Sequence, residues 1–501
     1  MERRAFLNGM ASTAIGLIAT GCSRDAILSV RVAVDGEVAG RSIPTDFIGL
    51  SYESSILTPG NYFTPGNDFV LELIRSLGKS GIIRIGGNTS EQTVWRPERA
   101  SAAQSGTFVI TPAAIDRLAG ALRIIGWQLI YGLNLARGEP EDAAAEAAYV
   151  ADAVGPQLLA FQIGNEPDGF RYDFETFLRK WRLFQSAIIS RVPSASFAGP
   201  DVATNTDWVA KFAAAKPRGL TLLTRHYYAD GPAGASNITL ANLVRSSQRV
   251  VPLLKSLRSI SGKSGLPFRI VEANSIFNEG QPGVSDTLGA ALWALELMFQ
   301  IATADGAGIN LHTGANNNHP AEDKAYTPIA RTDGGHYRAT PLYYGMLAFA
   351  IAGRGTLVPL QCVPNYPQLN AFATRADDGT FRFCLINKDS AHLGRVSISP
   401  VGRYTRASIL RLVGPAAEAT RGVTLGGTAV DVFGRWVPSS DETLSADREE
   451  IVVYLPTNSA AVVSLSPNEG TRAGFIRSLR QRATVSKCAH FRLAADSGLP
   501  F

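Results

Sequence analysis

The sequence has 501 residues, of which 45% are hydrophobic and 18% are charged, a balance typical of folded globular proteins. The net charge of +5 is carried by the chain ends, because residues 1–24 contribute +2 and residues 467–501 contribute +4, which leaves −1 for residues 25–466. The central part is therefore not basic, and the composition gives no support for a nucleic-acid partner. The length favours two domains.

Residues 1–24 are typical of an export signal. Arg3-Arg4 resembles the start of a bacterial twin-arginine signal, and the apolar run from Met10 to Ala19 is too short to span a membrane. The run ends close to Cys22 in a sequence similar to a lipoprotein cleavage site, with ordinary cleavage nearby as the alternative. We therefore predict an exported protein, periplasmic or at the outer membrane or cell surface, with membrane contact only through a lipid at Cys22.

From residue 44 to residue 340, apolar runs of strand type alternate with amphipathic stretches of helix type. The predicted strands are Phe47–Tyr52, Ile82–Ile85, Leu129–Leu133, Leu158–Ile163, Ser196–Ala198, Leu220–Thr224, Phe268–Val271 and Gly308–Leu311. The predicted helices include Asp68–Leu77, Thr111–Ile125, Glu141–Ala153, Phe174–Ile189 and Asp286–Ala302. This alternation predicts a (β/α)8 barrel over residues 44–340, with an open doubly wound parallel sheet as the alternative.

After a last helix, Tyr343–Ile351, the pattern changes to short alternating strands separated by turns. Residues 355–466 therefore predict a β-sandwich, joined by a strand from residues 27–43. Residues 467–501 are expected to form a basic tail of unknown purpose. The predicted sandwich strands are Leu369–Thr374, Phe381–Ile386, Arg395–Ile398, Ala407–Leu412, Ile451–Leu455 and Ala460–Leu465.

The cysteine, histidine and acidic residues have no metal-ligand spacing, so we predict neither a metal nor another cofactor. Two of the four cysteines, Cys362 and Cys384, either pair in an oxidising compartment or remain buried free thiols.

Two glutamates follow predicted strands at corresponding places. Glu166 comes after the fourth strand and Asn165, and Pro167 ends that strand because proline cannot continue a central strand. Glu272 comes directly after the seventh strand. The carboxyl ends of barrel strands form the mouth where active sites lie, so the two carboxylates are expected to face each other there. The alternative for Glu166 alone is a turn closed by a structural salt bridge.

Facing carboxylates match the chemistry of glycoside cleavage. One protonates the leaving oxygen and the other attacks the anomeric carbon, and retention of configuration needs the two about 5–5.5 Å apart. While Glu272 is ionised it disfavours ionisation of Glu166, so we predict Glu272 as the nucleophile and Glu166 as the acid and later the base. Asn165 is suited to hydrogen-bond the sugar 2-hydroxyl.

Four short motifs stand out in the chain, namely Tyr52-Glu53-Ser54-Ser55, Arg84-Ile85-Gly86-Gly87-Asn88, Ile163-Gly164-Asn165-Glu166-Pro167-Asp168 and Pro282-Gly283-Val284-Ser285-Asp286. Together they resemble glycoside hydrolase family 79, which contains β-glucuronidases and the heparanases. The resemblance covers residues 46 to 350, and the following sandwich is also similar to that of family members. It implies the same roles for the two glutamates and assigns Glu53 and Asn165 to the sugar hydroxyls of the −1 site.

Further candidate residues surround the sugar. Tyr228 resembles the family's aromatic residue that hydrogen-bonds the nucleophile, although strand alternation lets only one of Tyr227 and Tyr228 face inward. Gly86 and Gly87 would let the backbone approach the sugar closely, which makes Asn88 a candidate for substrate contact.

One position departs from the family pattern. Phe277 stands where similar family members carry a tyrosine that helps to hold the glucuronate carboxylate, and phenylalanine has no hydroxyl. The other family donors come from the loop after strand eight, where Gly335, His336 and Tyr337 are the candidates. Either a positive His336 compensates, or the enzyme takes a modified or different sugar.

The sequence thus predicts a retaining, exo-acting β-glycosidase, in the first place a β-glucuronidase, with a glycan or glycoside as substrate. The alternatives are another β-glycosidase of the same clan that acts on a neutral or modified sugar, and a non-catalytic glycan-binding surface lipoprotein. Intact Glu166 and Glu272 argue against the lipoprotein, because a binding protein has little reason to keep two opposed carboxylates.

Overall fold

The computed structural model describes residues 27–34, 40–58, 62–97, 106–314, 323–332, 335–399, 404–439, 442–444 and 450–467. The predicted export signal with Cys22, and all but the first residue of the predicted basic tail, lie outside these residues. Among the helices of the described part, none combines the length and the apolarity needed to cross a membrane.

Within the described residues, eight parallel strands close into a barrel. The last strand pairs with the first, with Leu311 opposite Leu50, and this pairing closes the sheet. The predicted (β/α)8 barrel is therefore confirmed, and the open doubly wound sheet is wrong. In chain order the barrel strands are Ile48–Glu53, Ile82–Gly86, Gln128–Leu133, Leu158–Ile163, Phe197–Val202, Leu220–Asp230, Phe268–Ile276 and Ile309–Thr313.

Helices follow the strands and cover the barrel. Their starts are fixed locally, as where the Asp173 carboxylate accepts the Thr176 N–H at 2.8 Å and caps the helix that begins at Phe174. The last two helices are buried on nearly all sides, because they lie between the barrel and the sandwich, where Phe299 stacks on Phe372. The described α-helices are Asp68–Ser76, Pro112–Ile125, Pro140–Val154, Phe174–Arg191, Thr206–Ala215, Leu240–Arg245, Val251–Ser264, Leu288–Thr303 and Pro341–Ala352.

Two sheets form the sandwich, and apolar side chains from both, such as Val32 and Val396 from one and Phe383 from the other, share one buried cluster. The first sheet has the order Leu360–Val363, Leu28–Val34, Gly394–Ser399, Ile451–Leu455. The second has the order Thr356–Val358, Leu369–Arg375, Phe381–Asn387, Ser459–Pro467, Tyr404–Val413, Thr424–Leu425, with Glu442–Leu444 beside Tyr404–Val413. Two short ribbons lie in the barrel loops and pair Thr93–Trp95 with Phe108–Ile110 and Ile329–Arg331 with Tyr337–Ala339.

Cys362 and Cys384 are both free thiols, so the disulfide alternative is wrong. The two cysteines belong to different sheets of the sandwich, and Cys384 is buried in the cluster that the second sheet shares with the barrel helices.

Candidate active site

The two glutamates lie at the carboxyl-terminal mouth of the barrel. Glu166 follows the fourth strand and has a left-handed backbone, with φ of 49°, held by a hydrogen bond from its N–H to the Asp201 carbonyl at 2.9 Å. Glu272 differs from the expectation in one respect, because the seventh strand continues through it to Ile276. This longer strand fixes the backbone of Glu272 on both sides.

Both carboxylates line one cavity of about 990 Å³. An oxygen of Glu166, an oxygen of Glu272 and a ring nitrogen of His226 lie within 4.8 Å of one another. The side chain of Glu166 is 28% exposed, whereas that of Glu272 is only 7% exposed. The two acids therefore share one space, but only Glu166 has ready access to solvent.

Arg84, on the second barrel strand, holds Glu272 in place. Its buried guanidinium uses all of its N–H groups on neighbouring side chains, so it cannot turn without breaking several bonds. Burial alone would raise the pKa of the Glu272 carboxyl, but nearby positive charge, including that of Arg84, outweighs burial and lowers the pKa well below its ordinary value. The acceptors of Arg84 are Gln162 at 2.9 Å, Ser51 at 3.0 Å, Glu272 at 2.7 Å, Asn165 at 2.8 Å and Asp201 at 2.7 Å.

His226 bridges the two ends of this network. Its Nδ1 lies 2.8 Å from Oε1 of Glu166, and its Nε2 lies 3.0 Å from Oδ1 of Asp201. Burial alone would lower the pKa of His226, but the charges of Asp201 and Glu272 raise it to about 10. The imidazole is therefore protonated near neutral pH and donates from both nitrogens, which fixes the orientation of the Glu166 carboxyl.

The two tyrosines of the sixth strand have different partners. The Tyr228 hydroxyl donates to Oε1 of Glu272 at 2.9 Å. The Tyr227 hydroxyl is buried and has no hydrogen-bond partner among the described residues. Tyr228 is therefore the tyrosine of this pair that contacts Glu272.

Asn165 and Asn88 form the wall beside Glu166. The Asn165 side-chain amide accepts from Arg84 and donates to Oδ1 of Asn88 at 3.1 Å, and Asn88 is exposed in the cavity. The backbone N–H of Asn165 donates to the buried Glu91 carboxylate at 2.6 Å. Burial raises the pKa of Glu91 to about 7, so the carboxylate that holds the Asn165 backbone changes its charge close to neutral pH.

Glu53 lies at the end of the first strand and is surrounded by donors. Lys324 donates from Nζ to Oε1 of Glu53 at 3.1 Å and to Nε2 of His312 at 2.9 Å. Burial alone would raise the pKa of the Glu53 carboxyl, but the positive charge of Lys324 and the hydrogen bonds from Thr89 hold it well below its ordinary value. A Cβ at position 87 would overlap this carboxylate, which explains Gly87 there. Glu53 is therefore an ionised acceptor with fixed geometry.

Gly335, His336 and Tyr337 are not brought together with the carboxylate pair. They line a different cavity of about 830 Å³, between the barrel and the sandwich. Phe277 does line the catalytic cavity; it is 40% exposed, and its ring centre lies 6.5 Å from that of Tyr228.

Arg84, Asp201, His226 and Lys324 are among the network residues that were missed as site residues. Arg84 carried a signal, since it is a charge inside an otherwise apolar buried strand. Asp201 and His226 also lie at carboxyl ends of barrel strands, where polar residues collect. Lys324 had no such signal, because it lies in a loop.

No family model matches the sequence. A β-glucuronidase of Aspergillus niger is 23% identical over 498 residues, covering 84% of this chain and 90% of that protein. A β-glucuronidase of Neurospora crassa is 23% identical, covering 75% of this chain and 78% of that protein.

Among solved structures, a 4-O-α-L-rhamnosyl-β-D-glucuronidase from Fusarium oxysporum superposes with a TM-score of 0.73 at 18% identity, covering 87% of this chain and 100% of that one. A glycoside hydrolase family 51 arabinofuranosidase from Xanthomonas axonopodis pv. citri has a TM-score of 0.65 at 17% identity, with coverage of 87% and 100%. These two solved structures share the fold of this chain.

Relatives and site agree on one class of protein: the chain is a glycoside hydrolase. Within that class it resembles the β-glucuronidases of family 79, as the sequence motifs predict, and the two fungal relatives confirm this resemblance.

Proposed function

We propose that the protein hydrolyses a β-D-glucuronide from the non-reducing end, with retention of anomeric configuration. The observation that carries the mechanism is the approach of Glu166 and Glu272 oxygens to within 4.8 Å. Retaining glycosidases hold their carboxyl groups about 5–5.5 Å apart, whereas inverting ones keep them about 6.5–9.5 Å apart.

In the first step Glu272 attacks the anomeric carbon, and the bond to the leaving oxygen breaks. Its lowered pKa keeps it ionised, and its two oxygens are held by Arg84 and Tyr228. Glu166 protonates the leaving oxygen. Because His226 donates to Oε1 of Glu166, the transferable proton is left to Oε2.

In the second step a water molecule releases the sugar. Glu166 takes a proton from this water, which attacks the anomeric carbon and breaks its bond to Glu272. Esterification has by then removed the negative charge of Glu272, and Glu166 is the carboxylate with access to solvent. The same residue thus serves as acid and then as base.

The uronate preference is supported by the names of the fungal relatives and by positive charge in the cavity. Lys324 donates two of its three ammonium hydrogens to Glu53 and His312. The described residues offer no acceptor for the third hydrogen. We assign this third hydrogen to the glucuronate carboxylate, in place of the hydroxyl that Phe277 lacks. Arg225 also lines the cavity, and its hydrogen bonds within the described part of the chain go to neutral oxygens.

A substituted glucuronide is a second candidate. The cavity of about 990 Å³ offers room beyond one sugar ring, and the Fusarium oxysporum neighbour acts on a rhamnosyl-substituted glucuronide by its name. A neutral sugar remains the alternative if Lys324 serves only to balance the charge of Glu53.

The test is hydrolysis of a chromogenic β-glucuronide beside the matching β-glucoside, β-galactoside and β-xyloside, with Glu272→Ala as the control. We expect preference for the glucuronide, no activity in the variant, and the β-anomer as first product by NMR. Preference for a neutral sugar would overturn the substrate but keep the mechanism, whereas the α-anomer as first product would overturn the roles of Glu166 and Glu272.

A further inference from the structure

A second cavity lies between the barrel and the sandwich, with a volume of about 830 Å³; we call it the barrel–sandwich cavity. One wall comes from the strand Tyr337–Ala339 in the loop after barrel strand eight. The opposite wall comes from residues 420–424 and 429–432 of the sandwich. Both parts of the fold therefore have to be in place to form it.

The lining of this cavity is positively charged. Arg338 and Arg421 both line it, and neither side chain has a hydrogen bond or ion pair within the described part of the chain. The acid that lines it, Asp431, already accepts the backbone N–H groups of its own loop from Phe433 at 2.8 Å and Arg435 at 2.9 Å. Within the described residues no carboxylate forms an ion pair with Arg338 or Arg421, although Asp286 and Asp323 lie near enough to Arg338 to favour its charged form.

The two arginines also act on each other. Burial lowers the pKa of Arg338 below its ordinary value and the nearby positive charge of Arg421 lowers it further, while the charges of Asp286 and Asp323 oppose this shift in part. Two guanidinium groups that repel each other across a cavity favour an anion between them, because a carboxylate or sulfate can accept from both.

The rim of the cavity is apolar and open to solvent. Val432, which lines it, is 83% exposed, and the neighbouring Phe433 is 66% exposed. Exposed apolar groups beside polar donors are typical of a binding surface. A sugar ring has this combination of an apolar face and polar edges.

The cavity lies close to the catalytic mouth. Tyr337 packs on Tyr62 with ring centres 5.5 Å apart, and the Tyr62 hydroxyl is 2.9 Å from that of Tyr52, the residue before Glu53. Packed aromatic side chains therefore connect the second cavity with the carboxyl end of the first barrel strand.

We propose that the barrel–sandwich cavity is a second saccharide-binding site, which holds an acidic sugar unit between Arg338 and Arg421. Binding there needs neither Glu166 nor Glu272, so it is independent of the proposed hydrolysis.

The test compares two double variants. Arg338→Gln with Arg421→Gln removes both charges from the cavity. Arg179→Gln with Arg182→Gln removes two charges from exposed positions on the helix Phe174–Arg191, which line neither cavity. Both double variants lose two positive charges. A difference between their affinities therefore depends on where the charges were removed and not on the total charge.

Binding of a hyaluronan hexasaccharide, in which every second sugar is glucuronate, is measured by titration calorimetry. Each protein also carries Glu272→Gln, which prevents turnover of the probe. We expect two classes of site in the parent and in the control, and a loss of at least roughly tenfold in affinity at one of them in the cavity variant. Neutral cellohexaose should not occupy that site.

Unchanged affinity in the cavity variant, an equal loss in the control, or equal binding of cellohexaose would each overturn the proposal. Thermal unfolding checks that the variants fold, and Arg421→Gln alone, at an exposed position, replaces the double variant if that one does not. Turnover of an aryl β-glucuronide with Glu272 intact tests the proposed hydrolysis separately: its absence would remove that function and leave the binding result standing.

Discussion

Replacing Tyr228 by phenylalanine removes one hydroxyl from the site and keeps the aromatic ring. That hydroxyl donates to Oε1 of Glu272 at 2.9 Å, while Arg84 donates to Oε2. His226 lies 3.9 Å from Oε1, which is too far for a hydrogen bond. In the variant, Oε1 of the nucleophile therefore has no donor among the described residues.

The size of the effect follows from the charge on the acceptor. A hydrogen bond to a charged group contributes about 1.5–3 kcal/mol, so kcat/KM should fall roughly 10- to 150-fold if the bond persists in the transition state. A carboxylate that loses a donor also becomes easier to protonate. We therefore expect the acid limb of the pH–rate profile to move to higher pH.

The assay is steady-state hydrolysis of an aryl β-glucuronide across the pH range, with Tyr227→Phe as the matched control. The control makes the same substitution one residue earlier, at a buried hydroxyl without a described partner, so its rate should stay close to wild type. Equal losses in both variants, or an unmoved acid limb in Tyr228→Phe, would refute the role of the hydroxyl.

Three further predictions concern the same network. Glu272→Ala should abolish hydrolysis, and azide should restore turnover of an activated aryl glycoside as the α-glycosyl azide; a β-azide product would contradict the nucleophile. His226 has a pKa of about 10 against an ordinary 6.5, so its contribution to stability is complete below pH 6.5 and is lost as the pH rises towards 10. Chemical denaturation should show wild type losing roughly a few kcal/mol more than His226→Gln over that range, and parallel profiles would exclude a charged His226. Lys324→Met should lower kcat/KM at least roughly tenfold more for an aryl β-glucuronide than for the β-glucoside, and an unchanged ratio would remove Lys324 from uronate recognition.

The barrel was predictable from the sequence because its strands are buried on both faces and read as short apolar runs. The run Leu158–Ile163 matches the observed strand at both ends. Glu272 was placed after its strand, not within it, because the apolar run stops at Val271 while the pairing with the sixth strand continues to Ile276. Apolar pattern thus locates a barrel strand but not the polar residues at its carboxyl end.

The positions of the remaining site residues depend on the conformation of the loops that carry them. The resemblance to family 79 made Gly335, His336 and Tyr337 candidates for holding the sugar, but these residues line the cavity between the barrel and the sandwich. Lys324, from the same region, enters the catalytic cavity instead. Loop conformation depends on packing against distant parts of the chain, which a single sequence does not show.

The position of the strand Leu28–Val34 has a consequence for how the protein is made. This strand lies inside its sheet, between Leu360–Val363 and Gly394–Ser399, so both of its edges are paired. Its partners leave the ribosome only after the entire barrel has been translated. Until then the strand Leu28–Val34 has no partner strands to pair with. A nascent chain that stalls before residue 360 therefore presents this apolar strand with both edges unpaired, and such edges can pair with other chains.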